Sequence, residues 1–231
     1  MSGSARPPID ASVLLGPGTP EWPGDVPYAC GWTCTIAGGA PFNLSAITLS
    51  PHVGTHADAP LHVRDGWPAS ETLTLDAFLG PTLVLDVRDV AAGVDPDGPG
   101  ALTLEALEAH ARAQGVELSR ALREAPRLLL RTGRTIADGR FPDAWPWVAP
   151  AAVSTLVADG LRLLGVDAPS IDARESKTLA THHALFGGGA CNLENLELRE
   201  VPPGRYQLIA PPLRLAGLDG APVRALLIPE A

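Results

Sequence analysis

Short apolar runs alternate with amphipathic segments through the middle of the chain. The runs PTLVLDV (81–87), RLLLRTG (127–133) and LRLLGVDA (161–168) are rich in Leu and Val, which is typical of strands buried on both faces of a sheet. Between them, segments 103–114 and 149–160 place apolar residues at helical spacing and end near a glycine. This order of strand, helix, strand, helix and strand predicts an α/β fold with crossover connections.

The flanking regions have weaker patterns. The first 43 residues are rich in Pro and Gly, which predicts loops with short extended pieces. Apolar and polar residues alternate in LSAITLS (44–50), so we predict a strand there. Segments 206–217 and 221–228 predict two further strands, antiparallel to each other. We therefore expect a single domain over residues 1–231, with helices packed on a mixed β-sheet.

Composition and charge exclude several classes of function. The formal net charge is −9, and the chain has one lysine and no basic cluster, which argues against a nucleic-acid partner. No apolar run approaches the eighteen residues of a membrane-spanning helix, so we expect no membrane association. The N-terminal sequence MSGSARPPID lacks the apolar core of a signal peptide, which predicts a cytoplasmic protein.

The chain contains an odd number of cysteines, Cys30, Cys34 and Cys191. Disulfides are rare in cytoplasmic proteins, and no second closely spaced pair accompanies the first to complete a thiolate metal site. We therefore predict that all three are buried free thiols.

Histidine is concentrated in one short segment, HVGTHADAPLH (52–62). Half of the chain's six histidines lie there, as His52, His56 and His62, with Asp58 between them. Imidazole and carboxylate ligands suit zinc, manganese or iron, and three protein ligands leave a position for water, as in catalytic sites. A polar loop with unrelated histidines explains this density less well. His62 remains open as a further ligand or as a general base.

The geometry of this segment restricts its backbone. A straight strand would separate residues 52 and 56 by about 13 Å, whereas two ligands of one zinc ion lie about 3–3.5 Å apart. The prolines and the glycine of the segment disfavour a helix, which is the other way to bring such residues together. We therefore predict a sharp turn at residues 53–55, where Gly54 supplies a backbone angle that other residues resist.

A second metal ion would need ligands from elsewhere in the chain. One carboxylate, here Asp58, can bridge two ions about 3.5–4 Å apart. Of the remaining histidines, His110 lies in a predicted helix and is expected to be solvated, which leaves the adjacent pair His182 and His183. The carboxylates near this pair are Asp167, Asp172, Glu175 and Glu194. The residues alone do not choose among them as ligands or as partners that orient an imidazole. Asp172 could equally form a turn, and Glu175 could cap a helix that starts near Lys177.

The segment HVGTHADAPLH matches the His-x-Gly-Thr-His-x-Asp-x-Pro-x-His signature of the metal-dependent cyclase family, which includes bacterial kynurenine formamidases. Other segments also resemble this family, so that the resemblance covers nearly the whole chain, and those of the second half resemble its formamidase branch. These segments are EWPGDVPY (21–28), 73–87, 127–132, GVDAPSIDARESKTLATH (165–182) and 201–227.

The resemblance implies roles for individual residues and two divalent metal ions per subunit, with zinc as the expected element. His62 would be the catalytic acid/base, and Trp22 would stack on the substrate. Two departures are the extra histidine at 183 and the glycine-rich stretch 184–194, where a more charged helix is expected. The implied metal ligands are His52, His56, Asp58, His182 and Glu194, with Asp58 bridging the ions.

The resemblance also implies a swivelling β/β/α fold and a homodimer or larger homo-oligomer, in which the N-terminal segment reaches toward the partner. The implied reaction is hydrolysis of N-formyl-L-kynurenine to L-kynurenine and formate in tryptophan catabolism, by a metal-bound hydroxide. A related hydrolase of cyclic amides, such as an isatin hydrolase, is the alternative within the family. A metal-binding scaffold without catalysis is the alternative outside the hydrolases.

Overall fold

The computed structural model describes residues 7–230 and has thirteen strands and four α-helices in that range. The strands are β1 (Ile9–Asp10), β2 (Ala29–Cys34), β3 (Leu44–Thr48), β4 (His56–Asp58), β5 (Leu79–Asp86), β6 (Ala101–Leu102), β7 (Arg127–Arg131), β8 (Trp147–Val148), β9 (Leu163–Val166), β10 (Cys191–Leu193), β11 (Gly204–Ile209), β12 (Gly220–Pro222) and β13 (Leu226–Pro229). The helices are α1 (Leu104–Ala113), α2 (Leu118–Glu124), α3 (Pro150–Ala158) and α4 (Ala180–Gly187). Short 3-10 helices occur at Ile36–Gly38, Pro60–His62, Ser70–Thr72, Leu75–Ala77 and Ile136–Asp138.

A seven-stranded mixed sheet forms the centre of the fold, in the order β1-β13-β11-β5-β7-β9-β10. Strands β5, β7, β9 and β10 are parallel, whereas β11, β13 and β1 continue the sheet through antiparallel pairs. Three two-stranded pairs, β4–β12, β2–β3 and β6–β8, lie outside this sheet. The predicted mixed α/β fold with packed helices is therefore confirmed.

Both faces of the parallel strands are buried, which explains their continuous apolar runs. In β7, Leu128 and Leu130 pack with the four helices on one face, whereas Leu129 belongs to a second cluster on the other face with Phe78 and Leu208. Successive side chains of a strand point to opposite faces, so a strand between two apolar layers needs apolar residues at every position.

The elements with the strongest periodicity form close to their predicted bounds. The runs 81–87, 127–133 and 161–168 contain β5, β7 and β9, and the two predicted helices are α1 and α3. Two C-terminal strands, β11 and β13, pair antiparallel as expected. Helix α2 was not predicted, and α4 begins at Ala180 rather than near Lys177. In α4, Thr181, His182, Leu185 and Phe186 are all buried. A helix buried on several sides lacks the apolar stripe that makes a helix recognisable in sequence.

Strands β2 and β3 form a separate antiparallel ribbon. The predicted strand at 44–50 is present as β3, but it belongs to this ribbon rather than to the central sheet. Apolar side chains on the ribbon are exposed, including Trp32 and Ile47, and Phe42 in the connection between the strands is exposed as well. The ribbon is thus an apolar feature that the described chain does not cover.

The three cysteines are free, but the prediction that all are buried is wrong. Cys30 is exposed because it lies on the ribbon of β2 and β3, and Cys34 is partly buried there. Cys191 is buried in β10, and this burial raises the pKa of its thiol to about 12.

The helices are short compared with a bilayer. The longest, α1, has 10 residues, whereas a membrane-spanning helix needs about 20. Within residues 7–230, no helix combines the length and the apolar content needed to cross a membrane.

Candidate metal centre

The histidine segment turns where the sequence predicts a turn. Gly54 has φ +71°, in the left-handed region, and a Cβ at this position would overlap the side chain of Leu15. Strand β4 follows directly and pairs with β12. The reversal brings His52 back beside His56, which a straight strand could not do.

The first group of candidate ligands consists of His52, His56 and Asp58. His52 Nδ1 lies 2.7 Å and His56 Nε2 lies 3.2 Å from the same oxygen, Asp58 Oδ1. This oxygen is buried, and although both nitrogens lie close to it, neither is aligned to donate a hydrogen bond to it. Two imidazole nitrogens around an unpartnered carboxylate oxygen are the arrangement expected where all three face a shared cation.

The second group consists of Asp58, His182 and Glu194, and all three are buried. His182 Nε2 lies 3.1 Å from Asp58 Oδ2 and 3.1 Å from Glu194 Oε1. The two oxygens of Asp58 therefore face different groups of ligands, as a bridging carboxylate does. His183 lies outside the cluster, with its ring 5.8 Å from that of Trp67.

The central sheet brings the second group to the first. Helix α4 carries His182, and the glycines at its end lead directly into β10, after which Glu194 follows. His56 and Glu194 exchange two backbone hydrogen bonds, at 3.3 and 3.0 Å. The pairing of β10 with β9 thus places Glu194 against β4, although 138 residues separate positions 56 and 194.

The outer ring nitrogens of two histidines are already engaged. His56 Nδ1 lies 2.9 Å from the carbonyl oxygen of Gly54, and His182 Nδ1 lies 2.6 Å from Asp172 Oδ2. Each imidazole donates a proton outward, so that its Nε2 can direct a lone pair toward the cluster. This is the usual way in which a protein fixes the tautomer of a metal-binding histidine.

Asp172 combines two of the roles that the sequence left open. Besides the imidazole of His182, its carboxylate accepts hydrogen bonds from the backbone N–H groups of Thr181 and His182 at the start of α4. Asp167 lies elsewhere and accepts hydrogen bonds from Thr132. Glu175 is exposed and does not cap α4, because this helix begins at Ala180 rather than near Lys177.

His110 lies away from the cluster, as expected. Its side chain is about 20% exposed and its Nδ1 lies 3.4 Å from a carboxylate oxygen of Asp89. It is therefore partly buried rather than fully solvated, because the face of α1 that carries it packs near the end of β5.

The electrostatics of the cluster favour a bound cation. Burial opposes a charge on His182, but its hydrogen bonds to Asp172, Asp58 and Glu194 outweigh burial and raise the pKa of its imidazole well above the ordinary value. Burial would raise the pKa of Asp58, but the neighbouring His56, His182 and His52 hold that pKa well below its usual range. The carboxylates therefore stabilise a positive charge at His182 Nε2, which is a proton or a metal ion in its place. Carboxylates that stay ionised in a buried site require positive charge nearby.

These residues fit a divalent metal ion. The groups combine imidazole nitrogens with carboxylate oxygens and contain no sulfur, a set that suits zinc, manganese or iron. The unpartnered Asp58 Oδ1 is also explained, because a cation there would satisfy it.

Two polar residues of the centre were not predicted from sequence. Asn192 Nδ2 donates to Asp58 Oδ2 at 2.6 Å, and Asn192 Oδ1 accepts from the backbone N–H of Asp58 at 3.0 Å. Asp219 Oδ2 lies close to His52 and His62. The only local signal for Asn192 is its position two residues before Glu194, on the same face of an extended chain. Asp219 lies in the connection just before β12 and gives no signal.

His62 lies beside the cluster rather than within the two groups built on Asp58. It ends the short helix Pro60–His62, its side chain is about 30% exposed, and its ring lies 4.4 Å from that of His52. A partly exposed imidazole next to a buried ligand cluster is accessible to a bound small molecule.

A cavity of about 400 Å³ opens above the cluster. Its lining includes His52, His62, His182 and Glu194, together with the aromatic side chains of Trp22 and Phe141. The Trp22 ring is 40% exposed and packs edge-on against Phe141 at 5.4 Å and Trp145 at 5.9 Å. The remaining lining residues are Pro20, Asp25, His56, Pro169, Ser170, Leu179, Asn195 and Asp219.

Comparison with known proteins gives a relative over nearly the whole chain. The chain is 40% identical over 221 residues to a kynurenine formamidase of Salinibacter ruber (strain DSM 13855 / M31). The aligned region covers 95% of this chain and 96% of the relative.

Solved structures share the fold. One, titled "The Structure Of Potential Metal-Dependent Hydrolase With Cyclase Activity", has a TM-score of 0.75 and 27% identity, and the match covers 97% of this chain and 98% of the other. An isatin hydrolase bound to the product analogue thioisatinate has a TM-score of 0.78 and 24% identity, with coverages of 96% and 92%. At this identity, the second likeness shows the fold alone.

Residues 9–173 match the family model described as "Putative cyclase". This region spans more than half of the chain and contains the histidine segment. The chain therefore belongs to the cyclase family.

Proposed function

We propose that this protein is a kynurenine formamidase, which hydrolyses N-formyl-L-kynurenine to L-kynurenine and formate in tryptophan catabolism. The observation that carries the proposal is the 40% identity to a kynurenine formamidase over 95% of the chain. The cavity above a buried group of candidate metal ligands supports the same reaction class, because amide hydrolysis needs an activated water molecule.

We propose that the centre holds two zinc ions. His52, His56 and Asp58 would hold the first ion, and Asp58, His182 and Glu194 would hold the second. When bound, such ions lower the pKa of water toward neutrality and polarise a carbonyl group. The arrangement of the two Asp58 oxygens, which face different histidines, supports the two-ion assignment.

We propose that His62 moves the proton that the reaction requires. The substrate nitrogen leaves as an aniline, so it must gain a proton as its bond to the formyl carbon breaks. His62 lines the cavity, and Asp219 lies at its Nδ1, so Nε2 is the nitrogen available to the substrate. General acid–base help of this kind contributes about 10²–10⁴-fold to the rate.

We propose that the loop of Trp22 positions the two ends of the substrate. The Trp22 ring offers a platform for the aromatic ring of the substrate. Asp25 lines the same cavity, and its backbone N–H donates to the carbonyl of Trp22 at 2.9 Å, so both residues lie on one tight turn. Among the described residues, the cavity lining contains carboxylates, including that of Asp25, and neither lysine nor arginine. Such a lining suits the positively charged ammonium group of N-formyl-L-kynurenine, which Asp25 would face.

The proposal is tested by formate release from N-formyl-L-kynurenine by the purified protein, after chelation and again after zinc is restored. We expect activity to disappear with chelation and to return with zinc. Isatin is tested in parallel, because an isatin hydrolase has a related fold. Turnover of isatin without turnover of the linear amide would favour the cyclic-amide hydrolase, and zinc binding without either activity would favour a scaffold.

We propose that the chain is one domain and assembles as a homodimer or larger homo-oligomer. The exposed Trp32, Phe42 and Ile47 around the ribbon of β2 and β3 support an interface there. Sedimentation of the wild-type protein and of Trp32→Asp is the test. A wild-type protein that sediments as a monomer would contradict the proposal, whereas a dimer weakened by Trp32→Asp would support this interface.

A further inference from the structure

Asp219 lies between the proposed metal ligand His52 and the proposed acid/base His62. We infer that Asp219 is a positioning residue whose carboxylate fixes the proton-bearing nitrogen of both imidazoles at once. The role of Asp219 at His62 rests on the proposed function, whereas its role at His52 concerns metal binding alone.

A single carboxylate oxygen serves both histidines. Asp219 Oδ2 lies 2.9 Å from His52 Nε2 and 3.3 Å from His62 Nδ1. The two rings are 4.4 Å apart, so they approach this oxygen side by side. A carboxylate oxygen can accept two hydrogen bonds, and an ionised carboxylate only accepts. Both facing nitrogens must therefore carry a proton.

The consequence for each ring is different. His52 donates from Nε2, so its Nδ1, which lies 2.7 Å from Asp58 Oδ1, keeps the lone pair that a metal ion needs. His62 donates from Nδ1, so its Nε2 is left to exchange a proton with the substrate. One side chain thereby selects the ligand atom of the first histidine and the reactive atom of the second.

The backbone around Asp219 is held in place by hydrogen bonds on both sides of the residue. Its carbonyl oxygen accepts a hydrogen bond from the backbone N–H of Ala59 at 2.8 Å. On one side, Gly217 N donates to the carboxylate of Glu71 at 2.9 Å. On the other side, Gly220 pairs with Asp58 as the first residue of β12. The Asp219 loop, residues 217–220, is therefore attached to the segment that carries the ligands.

The close approach of this loop also restricts its sequence. A Cβ at Gly220 would lie 3.0 Å from His52 Cε1, which is closer than real Cβ atoms normally come. Glycine at this position allows the backbone to pass beside the imidazole, so that the Asp219 carboxylate reaches Nε2.

The test uses Asp219→Asn, which keeps the size of the side chain and removes its charge. Glu71→Ala is the matched control, because it removes the acceptor that holds the same loop and contacts neither histidine. Two quantities are measured in both variants: the dissociation constant for zinc, by competition with a chromophoric chelator, and kcat for N-formyl-L-kynurenine at saturating zinc.

We expect Asp219→Asn to weaken zinc binding by about 10–100-fold, as is usual when the partner of a metal-binding histidine is lost. We expect kcat at saturating zinc to fall by about 10-fold or more, since His62 loses its orientation. Glu71→Ala should leave both quantities within about twofold of wild type. Equal losses in the two variants would overturn the inference, because they would show that Asp219 only maintains the loop.

A second comparison separates the two histidines. In a His62→Ala background, Asp219→Asn should still weaken zinc binding but should cause no further loss of kcat. The same fold-loss of kcat with and without His62 would refute the action through His62. Unchanged zinc affinity would refute the action through His52.

The imidazole protons provide a readout that does not depend on turnover. In ¹⁵N-histidine NMR spectra of the zinc-loaded protein, we expect His52 to be protonated at Nε2 and His62 at Nδ1, with the His62 signature lost in Asp219→Asn. If the wild-type protein does not hydrolyse the substrate, the proposed function fails, yet these spectra and the zinc affinities still decide the role of Asp219.

Discussion

The two segments that build the candidate metal centre differ in how their candidate ligands are brought together. In residues 52–62, a local turn at Gly54 places His52, His56 and Asp58 within reach of one ion. In residues 172–194, the ligands lie on different elements, and α4, β10 and the pairing with β4 are all needed to bring them together. The geometry of the first segment is therefore set by a local turn, whereas that of the second depends on the central sheet.

Asp58 joins the two segments, so its substitution tests the comparison most severely. We expect Asp58→Ala to remove both metal ions and all measurable turnover, because both groups lose a shared carboxylate. Metal per chain, measured by atomic emission, is the readout. Glu194→Ala is the matched variant and should weaken only one ion. Retention of two ions in Asp58→Ala would show that Asp58 does not bridge.

His62 belongs to the first segment by sequence but lies outside the groups that contain Asp58. We therefore expect His62→Ala to keep both metal ions and to lower kcat by about 10²–10⁴-fold, the range of general acid–base catalysis. Metal analysis and steady-state kinetics on the same preparation check this result. Near-normal turnover would refute the acid/base role, and loss of metal would make His62 a ligand instead.

In the second segment, Asp172 accepts a hydrogen bond from the outer ring nitrogen of His182. We expect Asp172→Asn to weaken metal binding by about 10–100-fold, because His182 loses the partner that fixes its tautomer. Asp167→Asn is the control, since this carboxylate is also buried but bonds to Thr132 and Gly133. It should lower the melting temperature and leave metal affinity unchanged. If both variants lose metal equally, the effect reflects stability alone.

The smallest effect is expected at the rim of the cavity. Asp25 is partly exposed, and an ion pair there is worth about 0.2–1 kcal/mol, so Asp25→Asn should raise the KM for N-formyl-L-kynurenine by only about 1.5–5-fold. The KM for N-formylaniline, which has no ammonium group, should not change. An equal rise for both substrates would mean that Asp25 shapes the turn of Trp22 rather than meeting the charge.

Elements with a strong hydrophobic pattern were predictable from the sequence. In the strands this pattern reflects burial on both faces of the sheet, and in the helices it reflects burial along one stripe. Strands β5, β7 and β9 and helices α1 and α3 belong to this class. The bounds of α4 escaped prediction, since this helix is buried on several sides and ends at the first of three glycines. The position of β3 outside the central sheet could not be predicted either, because alternating apolar and polar residues indicate a strand but not the strand with which it pairs.

The sequence by itself determined the local part of the metal centre: the turn at Gly54 and the close spacing of the histidine segment follow from residue types and backbone geometry. Only the tertiary structure decided which distant side chains complete it. Asp219 is 167 residues from His52, and Asn192 is 134 residues from Asp58. The physical reason is that periodicity describes the surroundings of each strand but not the order of strands in the sheet, and that order sets the distances across the site.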